Sequence, residues 1–476
     1  MQSEVTLIAS RLRAAKVTRP AVMLTGAAVA DRALIGAATF LTYALLGRWA
    51  GPDQLGRLWI GLTLVFVAVA LQESLITAPF TVFAREHTRD QRRRYLAGVL
   101  VHALLLSLAY SGLLSLVAVG CAVVGWTTIA ALLGVVVLVV PCVLLREFAR
   151  RVVYAEFRPS IAALLSGGVS LVQISSLAML YWSERLSAMT ALGAVGVSSA
   201  LGGAVWLLFN RSGLVFHRSE VVDAFHRNWV LGKWTVATQV GEIARMQMLP
   251  WLLAVTMGEA QLGIYTACAT LAGLASPLLV AMSNILIPKL AQQGVDGGPR
   301  AIDRLVRRAS GWLTVFMSTF LLTICLLSPW IVVWVYGPKY ANTVHPLIVL
   351  ALAHWCIGST VPAARALLVL KRPEQAFKSH MAGIVVSTLC VLPLVLRWGI
   401  VGAAYAVLLG ASAKAVLVIT WYVLDLREKL QETSDDLAPQ PSDPWALNSS
   451  VEPALVEPPS NGTSAAALDR AVEESP

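Results

Sequence analysis

Twelve stretches of about twenty apolar residues occupy most of this chain, and a stretch of that length crosses the hydrocarbon core of a bilayer as one helix. They run over 21–47, 58–83, 98–122, 127–146, 160–181, 187–209, 230–256, 262–288, 309–335, 344–370, 376–396 and 400–424. No water reaches the backbone inside the hydrocarbon, so each stretch must close its own hydrogen bonds as a helix. Charged residues make up only 13% of the 476, about half the share in a soluble domain. The expected fold class is an all-α polytopic membrane protein of about 12 transmembrane helices.

The formal net charge of +10 sits between the spans and not on one polar face, which argues against nucleic acid as a partner. Six segments, 1–20, 84–97, 146–159, 210–233, 289–308 and 371–378, hold 25 Lys and Arg, whereas the intervening turns hold five: Arg48, Arg57, Arg185, Lys339 and Arg397. Basic loops stay in the cytoplasm. The strict alternation predicts an even number of spans with both termini cytoplasmic. The first span is read as a retained helix and not a cleaved signal, because no small-residue cleavage site follows a short apolar core. From 425 the chain turns rich in Pro, Ser, Asp and Glu, the composition of a disordered tail. The expected organisation is a basic N-terminal segment 1–20, an N-lobe 21–209, a linker 210–229, a C-lobe 230–424 and an acidic cytoplasmic tail 425–476.

The lobes are read from an internal repeat. Gly51-Pro-Asp-Gln-Leu-Gly56 after the first span matches Gly258-Glu-Ala-Gln-Leu-Gly263 after the seventh, 207 residues on. Arg158-Pro159 after the fourth matches Arg372-Pro373 after the tenth, 214 residues on. Six spans are thus repeated in tandem. Because six is even, the two lobes have the same orientation, related by a pseudo-twofold along the membrane normal.

Several segments carry a family resemblance. The run LLGRWAGPDQLGRLWIG, Leu75-Ile-Thr-Ala-Pro79 and Leu145-Arg-Glu-Phe-Ala-Arg-Arg-Val-Val-Tyr154 are the first three. Pro277-Leu-Leu-Val-Ala-Met-Ser-Asn284 with Ile287-Pro288-Lys289, and Tyr336-Gly-Pro-Lys-Tyr340, follow in the second half. Their order and spacing over residues 20–425 resemble the polysaccharide flippases of the MOP superfamily (Wzx-like, related to the MATE exporters). The resemblance implies two parallel six-helix lobes around a central cavity. It also implies translocation of a polyprenyl-pyrophosphate-linked oligosaccharide, a surface-polysaccharide precursor, from inner to outer leaflet. Membrane lipids and the polysaccharide polymerase or export machinery are the implied partners. It names no cofactor and no catalytic residue.

Seven charged residues lie inside the spans: Asp31, Arg32, Glu73, Glu242, Arg245, Arg365 and Lys414. Each costs about 2.5–3.5 kcal/mol at bilayer depth unless it meets a partner, water or a ligand. Arg32, Arg245, Arg365 and Lys414 are candidates for the pyrophosphate and glycan, since a guanidinium donates two hydrogen bonds to an anion at once. Arg32 and Arg245, on repeat-equivalent helices, are expected to face each other. Pairing within the bundle for Arg32 and snorkelling for Arg365 are the structural alternatives. Asp31, Glu73 and Glu242 are candidates for ion coupling, or simply balance the cations. Two other functions stay open: a drug or cation exporter on the same fold, which calls for an acid-dominated cavity, and a glycan polymerase or ligase, which calls for a sizeable outer loop.

Overall fold

The computed structural model describes residues 19–83, 89–211 and 218–435. The N-terminal segment 1–18 and the tail beyond 435 lie outside the described residues. The N-lobe comprises α1 (Arg19–Ala50), α2 (Pro52–Gln72), α3 (Arg89–Val123), α4 (Thr127–Ala155), α5 (Pro159–Trp182) and α6 (Ala188–Asn210). Helix α2 continues through a π-helical turn at Glu73–Thr77 into Ala78–Phe83. The C-lobe opens with α7 (Arg218–Met257) and α8 (Glu259–Ala272), the latter running through a 3-10 turn at Gly273–Ala275 into the long helical stretch Ser276–Tyr336. That stretch breaks at Gly298, φ 63°, which separates the end of α8 from α9 (299–336). After α10 (Val344–Val369), the stretch Pro373–Asp435 breaks at Gly399, φ 57°, into α11 (373–398) and α12 (400–435).

Among the described residues nine helical stretches are long and apolar enough to cross a membrane. Two of them contain these glycine breaks, so each makes two crossings, and α7 adds the shorter apolar segment Gln247–Met257. The chain is a multi-pass membrane protein with two parallel six-helix lobes.

The repeat is visible in backbone detail. Gly51 and Gly258 precede α2 and α8 with nearly the same dihedrals, φ 94°, ψ 177° and φ 85°, ψ 176°, a region open only to glycine. Phe157 and Lys371, before the two Arg-Pro pairs, both adopt positive φ, 57° and 63°. The Arg158 N–H donates to the Val153 carbonyl and the Arg372 N–H to the Leu367 carbonyl, closing α4 and α10 with the same left-handed cap.

Three element boundaries differ from expectation. Helix α4 continues to Ala155, so Arg146, Glu147, Arg150 and Arg151 are helical and not in a loop. Helix α7 begins at Arg218 and takes most of the expected linker, whose residues 218–229 contain no Gly or Pro. Helix α12 runs to Asp435, because the first proline of the tail is Pro439. In each case polarity ended the predicted span while helix propensity continued.

The lobes meet at the end of the bundle that carries the short turns. Gly56 and Gly263 face each other backbone to backbone. A Cβ on Gly56 would overlap the Glu259 carbonyl oxygen, and one on Gly263 would overlap the Pro52 carbonyl oxygen. Arg57 pairs with Glu259 across this contact. Beside it Gly47 of α1 packs against the Tyr336 and Tyr340 rings, and Arg48 donates to the Trp334 carbonyl. Leu46, Leu55, Leu58, Leu271, Tyr336, Tyr340 and Leu347 form one buried cluster spanning both lobes.

A second interlobe contact lies toward the basic end. Gly232 of α7 packs on the Leu75 backbone, and the Thr235 hydroxyl lies 2.8 Å from both the Ser74 carbonyl and the Gly232 carbonyl of its own helix, so it shares its proton between the lobes. The π-helical turn supplies the Ser74 acceptor, since an inserted residue leaves a carbonyl turned away from the helix ladder. Tyr95 on α3 donates to Asn228 on α7 at 2.7 Å. Thr235→Val is expected to remove about 1 kcal/mol from this contact. Hydrogen exchange of the amides at 73–77 will then quicken several-fold, with the Gly56–Gly263 region unchanged.

Candidate functional site

Each lobe encloses a cavity of about 300 Å³, and the two stand on equivalent helices. The N-lobe cavity is walled by α1, α2, α4, α5 and α6, and the C-lobe cavity by α7, α8, α10, α11 and α12. Ser166, Val169, Ser170 and Gln173 of α5 line the first. His380, Gly383, Ile384 and Ser387 of α11, each 214 residues later, line the second.

The N-lobe cavity is built around arginines. Arg32, Arg146, Arg150 and Arg151 line it with Glu73 and Glu147. Behind them Asp31 is fully buried, at 0% exposure. Asp31 accepts from Arg150 at 3.0 Å, from the Tyr154 hydroxyl at 2.7 Å and from the Ser166 hydroxyl. Arg150, 6% exposed, forks onto Glu147 at 2.7 and 3.1 Å. Arg146 reaches the other oxygen of Glu147 at 2.7 Å. Arg151 pairs with Glu73 on the π-helical turn.

This network explains why so many charges are tolerated: three acids from α1, α2 and α4 neutralise three of the four arginines. Arg32 is the fourth. It is exposed and lines the cavity, as does exposed Phe66. Adjacent residues on a helix point about 100° apart, so Asp31 turns into the α4–α5 interface while Arg32 turns out. Arg32 lies eighteen residues from Ala50, about 27 Å along the axis, near the basic end of the bundle.

The other candidates are dispersed. Arg365 donates to the buried Ser283 hydroxyl on α8 at 3.2 Å. Its repeat equivalent, Arg151, makes the matching α4-to-α2 contact with Glu73. Arg365 is therefore held inside the C-lobe by that contact. Lys414 lines the C-lobe cavity, on the opposite lobe from Arg32. The side chains of Glu242 and Arg245 lie outside the described residues, and so does the expected pairing of Arg32 with Arg245. Among the described side chains, Arg32, Arg365 and Lys414 therefore do not converge in one cluster.

The arginines that do converge, Arg146, Arg150 and Arg151, fall in a segment that the loop-charge pattern reads as a basic loop. Their one local signal is Glu147 three residues before Arg150, the spacing of an ion pair along a helix, which the structure forms.

Comparison with known proteins sharpens the picture. A family model described as "Polysaccharide biosynthesis protein" matches residues 148–346. None of the curated protein sequences matches the chain. Among solved structures, the chain is similar to the lipid II flippase MurJ in an inward closed conformation, with a TM-score of 0.67 and 13% identity over 89% of this chain and 94% of that one. It is similar to a multidrug resistance MATE family transporter of the MOP superfamily in its inward-facing conformation, with a TM-score of 0.63 and 13% identity over 86% and 99% of the two chains. An outward-facing structure of that description gives a TM-score of 0.53 and 12% identity over 87% and 96%. The chain has the two-lobed, twelve-helix fold of the MOP superfamily, and its sequence resembles the polysaccharide flippases within it.

Proposed function

We propose that the protein carries a polyprenyl-pyrophosphate-linked oligosaccharide from the inner to the outer leaflet of a bacterial cytoplasmic membrane, with both termini in the cytoplasm. The observation that supports this most is the N-lobe cavity: an exposed arginine at inner-leaflet depth, backed by three more arginines whose positions the acids hold. A pyrophosphate is a concentrated anion that cannot enter hydrocarbon alone, and preset guanidinium forks are its natural partners. Arg32 makes the first contact. Arg146 and Arg151, less buried than Arg150, are near enough to the opening to exchange Glu147 and Glu73 for phosphate oxygens. The basic segments face the cytoplasm, and the short turns that close the bundle face outward. The polymerase or export machinery that consumes such a precursor is the implied downstream partner.

The drug-exporter reading fits less well. A cationic drug needs an acid-dominated site, whereas here every acid contacting the N-lobe cavity is already paired with an arginine.

The test is to delete the gene and label the lipid-linked oligosaccharide with a membrane-impermeant glycan probe on oriented spheroplasts. Accumulation on the cytoplasmic face, with loss of surface polymer, is the expected result. Accumulation on the outer face would transfer the function to a later polymerase or ligase step. Complementation with Arg32→Gln is expected to restore transport roughly 10- to 100-fold less well than wild type, the worth of one charged hydrogen bond.

A further inference from the structure

Outside the arginine cavity, α5 and α6 frame a separate groove of about 560 Å³. Its floor is buried and includes Val169, Ser198, Gly202 and Trp206. Its walls are exposed and apolar, with Ile161 and Leu164 of α5 on one side and Val205 and Phe209 of α6 on the other. In the C-lobe the matching helices meet backbone to backbone: a Cβ on Gly383 would lie 2.8 Å from the Gly410 carbonyl oxygen. Val169 stands 214 residues before Gly383. Its side chain packs on Gly202, so a side chain stands between α5 and α6 at this crossing. Leu164 and Phe209 are 78% and 82% exposed. On a membrane-spanning helix such residues face lipid, so the occupant comes from the bilayer.

The groove has a direction. Ser198 satisfies its hydroxyl on the Val195 carbonyl at 3.1 Å, and the other polar residues, Glu156, Arg158 and Asn210, all stand at the basic end. From Arg158 to Val172 the groove follows α5 for fourteen residues, about 21 Å. Half of the hydrocarbon core is about 15 Å thick. The groove is therefore one leaflet deep, with its polar end at headgroup level. Charge then chooses the headgroup. Glu156 is faced by Arg92 at 3.8 Å, and the Asn210 amide donates to the Trp206 carbonyl at 2.8 Å. Arg158 is exposed and makes no ion pair among the described residues. Arg211, the residue after Asn210, is exposed as well. One carboxylate against three guanidiniums favours an anionic head.

We propose that the α5–α6 groove is a binding site for one anionic phospholipid of the leaflet at the basic end, with its phosphate on Arg158 and an acyl chain along the trough. The site does not depend on what crosses the central path. Its place does give it a hold on that path. Val169 lines both the groove and the arginine cavity, and Arg146 Cγ lies 3.8 Å from where a Cβ on Gly202 would stand. An acyl chain in the groove packs against the back of the wall that carries the arginines.

The experiment places the full chain in phosphatidylcholine nanodiscs that carry a trace of diazirine-bearing lipid, and maps the cross-links by mass spectrometry. The two probes are phosphatidylglycerol and phosphatidylcholine with the same chains. Phosphatidylglycerol is expected to label 161–172 and 198–209 roughly fivefold more than phosphatidylcholine, the worth of one basic side chain beside an anionic headgroup. Arg158→Gln brings the two probes level. A Cβ on Gly168 meets no atom within 4 Å, so Gly168→Phe extends into the groove and is expected to abolish labelling of its walls, whereas Gly168→Ala keeps it. Thermal unfolding reports whether Gly168→Phe is folded, and Arg158→Gln, a surface change, carries the test if it is not. Equal labelling by both probes in wild type overturns the inference, as does a phosphatidylglycerol preference that survives Arg158→Gln or labelling that survives in folded Gly168→Phe. Displacement of the phosphatidylglycerol probe by equimolar undecaprenyl phosphate would give the groove to a polyprenyl chain, and the phospholipid assignment would be wrong.

Discussion

Gly56→Ala will open the short-turn end of the protein. The added Cβ has nowhere to go: it overlaps the Glu259 carbonyl oxygen and lies 3.1 Å from the Gly263 nitrogen. Both are backbone atoms, so no side chain can swing aside, and relief requires α2 and α8 to separate. Moving a two-state equilibrium from 1:99 to 99:1 takes about 5.5 kcal/mol, and an overlap of this kind supplies an effect on that scale. Spin labels at Arg48→Cys and Trp334→Cys, whose native residues touch across the closed end, will report a longer distance in the variant. Gly263→Ala, the repeat partner, will do the same. An unchanged distance in both variants would mean that this contact does not hold the closed state.

The second large effect concerns the buried arginine. Arg150→Met will leave Asp31 and one oxygen of Glu147 without their main partner. Breaking a buried pair from one side costs about 3–5 kcal/mol, whereas replacing the whole set by neutral groups of similar volume is often nearly neutral. Thermal unfolding in detergent should therefore show a marked loss for Arg150→Met. Most of it should return in the triple variant Asp31→Asn/Glu147→Gln/Arg150→Met. Transport separates fold from function: the triple variant should be stable but slow, because Arg146 loses the carboxylate that positions it. A single variant as stable as wild type would show that water reaches this network in the native state.

Much of the fold could be read from sequence because the membrane enforces simple rules. Span length marked the helices, and alternating loop charge predicts the side on which each loop lies. The G-x-x-Q-L-G pair marked the contact on which the two lobes close. The candidate site was harder to read, for a physical reason. Arg150 is neutralised by Asp31, 119 residues earlier, and Arg151 by Glu73, 78 residues earlier. Apart from the Glu147–Arg150 spacing, nothing local tells an arginine on a loop from one at a helix end whose partner lies on another helix. The π-helical turn at Glu73 was equally hidden, because its carbonyl finds its use only when Thr235 arrives from the other lobe.

The Gly56–Gly263 contact also bears on how such a chain could arise. The two glycines occupy corresponding places in the repeat, and each touches the other's neighbourhood in the same way. That is the signature of an isologous interface, in which one surface is its own complement. A six-helix ancestor pairing with a second copy of itself would have needed only one glycine to satisfy both sides. After fusion the two positions become separately mutable yet still share one steric requirement. A bulky residue at either is enough to spoil the contact, and no compensating change at the other can relieve it, because a glycine has nothing left to remove.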